Sequence, residues 1–292
     1  VVRGAFTKDD EEFTASHATE KFTSEAAARA ALEAVEGAAE ATVEAVKRTE
    51  RRVAPPAPFN TTALMAAAAS EGFSPSQTMR IAESLYMSGY ISYPRVDNTV
   101  YPPSLDLRGI LKQLSQVPFY REYAQGLIKR GTLTATRGQK ETTDHPPIHP
   151  TGAADPDRLD PQAWKLYNLV ARRFMATLSS AAVLESTRVD LTVRSERFVA
   201  RGDVVVSPGF RAIYPYGLRR EERLPQLAES ERIPFRGATM EAKQTQPPAR
   251  FSQGRLIQEM EKLGLGTKAT RHDIIQTLYD RKYVTGDPVE PT

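Results

Sequence analysis

The apolar residues of this chain change period, and that change constrains the fold more than any other feature. From about residue 60 to residue 178 they recur at helical spacing, whereas from Glu185 to about Gln244 they alternate as strand residues do. Thr187-Arg188-Val189-Asp190-Leu191-Thr192-Val193 alternates cleanly. Arg197 to Val206, Arg211 to Tyr216 and Thr239 to Thr245 read as further strands, with Pro208-Gly209 and Tyr216-Gly217 as turns. A single kind of element cannot satisfy both periods, so the fold class is α+β and multidomain. The 292 residues predict two or three domains at roughly 100–200 residues each.

Local signals set the helix ends. Thr23-Ser24 opens an alanine-rich helix that stops near Gly37, while Thr42 to Val53 suits helix or strand. Ala54-Pro55-Pro56-Ala57-Pro58 breaks any regular element, because each proline removes a donor and fixes φ, and it marks a domain crossing. One helix begins at Asn60 or Thr61. The next has a capping box, Ser74-Pro75-Ser76-Gln77, with proline at its first position and Gly89 as its stop; Met79, Ala82 and Tyr86 are expected on its buried face. Further helices are predicted over Ser104–Leu114, Val117–Lys129 and Pro161–Leu178. After Gln246-Pro247-Pro248 the chain reads helix, tight turn, helix, strand, with Ser252 as a cap, Gly264-Leu265-Gly266 as the turn and Thr270 to Asp273 opening the second helix. That order suits a winged-helix-like unit.

Composition excludes several function classes. The absence of cysteine removes disulfide scaffolds, thiol catalysis and cysteine-based zinc sites. No apolar run approaches the ~18 residues of a membrane span, so a soluble, cytoplasmic protein with no membrane partner is expected. The net charge of +3 says little, but its distribution says more: residues 1–60 carry 8 basic and 11 acidic side chains, and residues 107–140 carry seven basic against one acidic. The basic stretch reads either as a solvated face or as a phosphate-binding one. The chain opens on strand-like Val1-Val2, and an excised or processed piece is expected.

Most catalytic patterns are missing. There is no Walker A sequence and no His-Glu-x-x-His. Gly264-Leu265-Gly266-Thr267-Lys268-Ala269 follows a helix rather than a strand, which makes it a turn and not a dinucleotide fingerprint. His145 and His149 have helical metal-pair spacing, but Pro146, Pro147 and Pro150 forbid the helix. What remains is Tyr93-Pro94-Arg95 with Asp97. A tyrosine hydroxyl, with its ordinary pKa of about 10, is a poor nucleophile near neutral pH unless a cation stabilises the phenolate. Pro94 forces Tyr93 out of the α region, so Arg95 lies on the same side of an extended segment and could neutralise both phenolate and phosphate. His145 could add a second donor.

Gly89-Tyr90-Ile91-Ser92-Tyr93-Pro94-Arg95-Val96-Asp97-Asn98-Thr99-Val100-Tyr101-Pro102 closely resembles the active-site signature of type IA DNA topoisomerases, nearest to the archaeal topoisomerase I form. Four further stretches match in order. Pro58-Phe59-Asn60-Thr61-Thr62 to Leu85-Tyr86 resembles the helical lead-in, and His145-Pro146-Pro147-Ile148-His149-Pro150-Thr151 is similar to the His-x-x-Ile-x-Pro-Thr box. Ser207-Pro208-Gly209-Phe210 resembles the returning arch. Pro247 to Ser252 with Gly264 to Thr270 resembles the late DNA-binding box. Val96 departs from the family's usual threonine, which removes one hydrogen bond.

The resemblance implies a toroidal enzyme in which residues 1–58 and 185–246 form an antiparallel β arch. Residues 59–184 form a helical gate and 247–292 part of a winged-helix-like fourth domain. Tyr93 and Arg95 would be catalytic; His145, Asp97, Arg250, Lys268, Thr270 and Arg271 would serve DNA binding, with Asp97 orienting Arg95. It also implies single-stranded DNA as partner and Mg²⁺ as cofactor. The ligands of that ion would lie in an N-terminal Toprim domain that nothing here matches, so no metal site and no small-molecule cofactor are expected in this chain. By itself the chain is expected to bind single-stranded DNA weakly and not to relax supercoils. A non-catalytic DNA-binding module, in which Tyr93 stacks on a base, is the alternative. A tyrosine recombinase or type IB enzyme fits poorly, since the tyrosine and arginine are nearly adjacent and early.

Overall fold

A computed structural model describes residues 1–218 and 220–292, which divide into two compact units: residues 1–53, 182–208 and 219–247, and residues 54–181, 209–218 and 248–292. The chain therefore leaves and re-enters each unit. Where the sequence predicts 59–184 and 247–292 as separate domains, contacts gather both into the second unit together with 209–218.

The first unit is a closed antiparallel barrel with strand order β1-β2-β5-β4-β3-β6. Its strands are β1 (Val2–Lys8), β2 (Glu11–His17), β3 (Glu40–Val53), β4 (Ala182–Val193), β5 (Glu196–Ser207) and β6 (Arg232–Met240). Helix α1 (Glu25–Val35), capped by the Ser24 hydroxyl, buries Ala28, Ala31 and Val35. Alternation on each strand sends Phe6, Phe13, Val43, Val189, Leu191, Val193, Phe198 and Phe235 inward. Phe6 is the hub, with ring centroids 5.5 Å from Phe13, 5.8 Å from Phe198 and 5.3 Å from Phe235.

That packing explains Gly4. A Cβ there would sit 2.8 Å from Phe6 Cε2 and 3.2 Å from Phe235 Cε2. Neither ring has room to retreat, so Gly4→Ala is expected to destabilise the barrel by about 1–3 kcal/mol, the usual penalty for overpacking. Urea unfolding checks this; a variant as stable as the parent would show that the aromatic cluster yields freely.

Two expected strands differ. Arg211 to Tyr216 is not a strand: Gly209, at φ +51°, turns tightly beneath the Ala181 carbonyl into a short 3-10 turn over Gly209–Ala212, which buries Phe210. The last barrel strand lies earlier than Thr239–Thr245, because Ile233 and Phe235 supply its inward face and Met240 already pairs with Val2. Thr42 to Val53 resolves as strand, paired with β4 over its length.

The second unit is helical: α2 (Thr61–Ala69), α3 (Pro75–Met87), α4 (Leu107–Leu114), α5 (Arg121–Lys129), α6 (Pro161–Thr177), α7 (Gln253–Lys262) and α8 (Arg271–Asp280), followed by the short hairpin β7 (Val284–Thr285) and β8 (Glu290–Pro291). α4 and α5 are shorter than their sequence patterns: the cap of α4 is Asp106, whose side chain accepts from Gly109 N, so the helix begins only at Leu107, and Tyr120 offers α5 no side-chain cap. The caps Asn60, Ser74, Asp160 and Ser252 each accept a backbone N–H in the first turn. α2 and α7 approach closely because both are small at the crossing: a Cβ on Gly254 would lie 2.9 Å from that of Ala69. Met65, Met79, Ile257, Met260 and Ile275 fill the space between these helices and α8.

Candidate active site

The site is built where an extended segment runs back along α3. Gly89, at φ +77°, ends the helix and reverses the chain. Burial then alternates strictly, with Ser92, Pro94, Val96 and Asn98 buried and Tyr93, Arg95 and Asp97 half-exposed on the other side. The Thr61 hydroxyl pins the segment: it accepts from Val96 N at 2.8 Å and faces the carbonyls of Pro94 and Val96 at 2.7 and 3.0 Å. Val96 is fully buried with its backbone satisfied by Thr61, which is why an apolar side chain fits where a threonine was expected.

The histidine box completes the wall. Ile148 N donates to Phe59 O at 2.8 Å, and Ser92 N to His149 O at 2.9 Å, so three short extended pieces lie side by side. This packs the exposed His145 ring on Tyr93 at a tilt of 50°, centroid to centroid 4.9 Å, while the Tyr86 ring meets the Tyr93 ring edge-on at 5.4 Å. Tyr86 is therefore not on the buried face of α3 as its spacing predicts: it is 41% exposed and spends its face on Tyr93. Among the described residues none hydrogen-bonds to the Tyr93 hydroxyl. His149 is buried, its Nδ1 2.7 Å from the Pro147 carbonyl, and the two histidines share no ligand geometry.

Arg95 faces the same side as Tyr93 but bonds elsewhere. Its Nε donates to Glu83 Oε1 at 2.8 Å, its Nη2 donates to the same oxygen, and its Nη1 donates to the Ala269 carbonyl at 2.9 Å. Glu83, which the sequence reading missed, thus takes the orienting role expected of Asp97. The signal was present as geometry: on an antiparallel return past Gly89, Tyr93 falls opposite Tyr86 and Arg95 opposite Glu83. Three helical residues rise ~4.5 Å and two extended residues ~6.6 Å, near enough for both pairs to meet.

Asp97 instead faces Lys268, Oδ2 to Nζ 3.7 Å, and Asp144 holds the same ammonium at 3.0 Å. Burial lowers the Lys268 pKa, but the Asp144 and Asp97 carboxylates outweigh it and leave it raised. The Thr142 hydroxyl, with Lys268, holds Asp144 well below the usual carboxylate range. Thr270 is exposed and closes the 267–270 turn, its Oγ1 accepting from Thr267 N at 2.9 Å. Arg250 is exposed beside Glu290, Nε to Oε1 3.6 Å. Arg271 departs from the expected DNA-facing role: it is 7% exposed, and its guanidinium donates to the carbonyls of Leu265 and Gly266 at 3.1 and 3.3 Å, bracing the turn that carries Lys268. The basic 107–140 stretch is likewise partly structural, since Arg108 donates to the Ile128 carbonyl, Arg137 pairs with Glu141 and Lys140 with Glu261.

Burial lowers the His149 pKa, although its bond to the Pro147 carbonyl acts in the opposite direction. A histidine depressed in the folded state is protonated more readily when unfolded, so its contribution is whole above the ordinary value of about 6.5 and is lost as pH falls through the folded value. The melting temperature is expected to fall from pH 7.5 to 5, less steeply in His149→Gln. Equal slopes in the two proteins would remove His149 as the source.

A family model described as DNA topoisomerase matches residues 1–292. The chain belongs to the type IA DNA topoisomerases. It is 48% identical over 237 residues to DNA topoisomerase 1 of Archaeoglobus fulgidus, covering 81% of this chain and 35% of that relative. It is 37% identical over 290 residues to DNA topoisomerase 1 of Pyrococcus horikoshii, covering 98% of this chain and 42% of the relative. The full-length topoisomerase I of Thermotoga maritima superposes with a TM-score of 0.74 at 26% identity, covering all of this chain and 49% of that one. This type IA chain thus spans under half the length of the relatives it matches. Among the described residues no group of three or more acidic or histidine side chains could hold a metal ion, and the carboxylates flanking Tyr93 are committed to Arg95 and Lys268. These residues do not fit a Mg²⁺ site. No helix among them is long and apolar enough to cross a membrane.

Proposed function

We propose that this chain supplies the nucleophile and part of the DNA-binding surface of an enzyme that cuts and reseals single strands of DNA. The observation that carries the reading is the Tyr93 hydroxyl, half-exposed and unbonded among the described residues, on a ring held between His145 and Tyr86 with Arg95 on the same side. In the proposed step Tyr93 Oη attacks a backbone phosphorus. A tyrosyl–phosphorus bond forms on the 5′ side, the bond to the 3′ oxygen breaks, and that oxygen takes a proton while the tyrosine gives one up. The return step restores the phosphodiester, so the bond energy is kept and no ATP is used. Arg95 has five N–H donors, of which three are taken, and the remaining two suit the charge that builds on the phosphorus oxygens.

Lys268, Thr270, Arg250 and His145 are proposed to contact the single strand, and Arg271 to shape the loop that presents Lys268. The barrel unit is proposed as the arch and residues 59–181 as the gate of a toroidal enzyme that relaxes negative supercoils. The Mg²⁺-binding acidic residues of a Toprim domain would lie outside these residues, in a cytoplasmic, nucleoid-associated protein.

Covalent trapping tests the reading. A protein carrying this chain in place of the matching segment of its Archaeoglobus relative should, on denaturation with single-stranded DNA, retain the 5′ end of the cut strand on Tyr93. Binding without any adduct would leave the alternative, a single-strand-binding module in which Tyr93 stacks on a base.

A further inference from the structure

Lys268 is the cation best set to hold a phosphate beside the Tyr93 segment, yet protein carboxylates already hold it. Its ammonium lies 3.0 Å from Asp144 and 3.7 Å from Asp97. Asp144 is fixed for this contact: the Thr142 hydroxyl donates to its other oxygen, and the Asn98 amide donates to the Thr142 and His145 carbonyls at 2.8 and 3.1 Å, clamping the turn that carries it. Arg95 is similarly held by Glu83. Two cations, Arg95 and Lys268, thus meet three carboxylates, Glu83, Asp97 and Asp144, and the carboxylates outnumber the cations by one. At Lys268, therefore, an arriving phosphate must compete with a carboxylate for the ammonium.

We propose that Asp144 is an internal competitor for the DNA phosphate at Lys268, gripping the ammonium in the free chain and yielding it when a backbone phosphate arrives. The inference rests on the DNA-binding reading of this site. Asp144 suits the role better than Asp97 for two reasons. It makes the shorter contact, and it directly precedes His145, whose ring packs on Tyr93, so the ammonium it holds is the one tied to the wall of the site. The pair is partly exposed, with 28% and 44% of the two side chains accessible, which allows exchange without unfolding.

The test is fluorescence anisotropy of a labelled oligothymidylate with the chain as it stands, in five forms: parent, Asp144→Asn, Asp144→Glu, Lys268→Met and the double variant Asp144→Asn with Lys268→Met, at about 50 and 200 mM salt. An exposed ion pair shifts an equilibrium by a factor of about 1.5 to 5, so Asp144→Asn is expected to tighten binding toward the upper end of that range. Lys268→Met should weaken binding, and Asp144→Asn should then add less than about 1.5-fold, because the competitor has nothing left to compete for. Asp144→Glu should stay near the parent. No gain in Asp144→Asn, or an equal gain in both backgrounds, would overturn the proposal, the second by showing a mere change of overall charge. Unchanged binding in Lys268→Met alone would instead remove Lys268 from the DNA site and the proposal with it. Should Asp144→Asn fail to fold, Thr142→Val, which loosens Asp144 without touching its charge, is expected to tighten binding in the same direction and more weakly.

Discussion

Tyr93→Phe is expected to abolish the covalent DNA adduct in the full-length chimera while leaving single-strand affinity within about twofold of the parent. The substitution removes one atom. The ring stays, and with it the packing on His145 at 4.9 Å and on Tyr86 at 5.4 Å. No bond inside the protein is broken, since among the described residues the Tyr93 hydroxyl has no hydrogen-bond partner. Loss of the adduct with folding and binding intact therefore isolates the chemistry. Denaturing gels that separate free from protein-linked strands read the first quantity, and anisotropy reads the second. An adduct that persists in Tyr93→Phe would take the nucleophile's role from Tyr93; the exposed neighbour Tyr86 would then be the residue to test.

How much of this arrangement was legible in the sequence depends on whether the information is local. Helix starts marked by a side-chain cap were, because such a cap is chosen by its own first turn: Ser74, Asp160 and Ser252 each bond where a cap should, whereas the starts of α4 and α5 fall later than their patterns. The extended run after Gly89 was, because Pro94 restricts its neighbour and the burial alternation follows. The β region was legible as a period but not in its edges, since Arg211 to Tyr216 has a strand-like composition that the Gly209 turn overrides. The partners of the charged residues were not legible at all. Glu83 reads as one more solvent-facing helical glutamate, and Arg271 as one more helix-start cation. Only the tertiary return of the chain sets Glu83 against Arg95, and only the curl of Leu265-Gly266 turns two carbonyls toward Arg271. Asp97 went to Lys268 for the same reason, because the loop that carries Lys268 is remote in sequence and near in space.

The position of Tyr93 depends on a buried hydroxyl one helix away, and removing it is expected to be the most damaging change outside the reacting residues. Thr61 has no solvent exposure, and its Oγ1 accepts from Val96 N at 2.8 Å while facing the Pro94 carbonyl at 2.7 Å. Valine has nearly the same shape, so Thr61→Val leaves no cavity. It does leave the Val96 N–H and the Pro94 carbonyl without their partner in a place water does not reach, at a cost of about 1–3 kcal/mol for each buried group. The segment has a cheaper course, which is to shift until both groups find other partners, and Tyr93 shifts with it. A displacement near 1 Å is enough to lower the rate of attack by about 100-fold, while phosphate contacts made from the 267–270 turn are retained. Thr61→Val should therefore form adduct about 100-fold more slowly with little change in affinity, and Thr61→Ser, which keeps the hydroxyl, should recover most of the rate. Adduct formation at the parent rate in Thr61→Val would mean that Ser92 and the His149 backbone hold the segment without help.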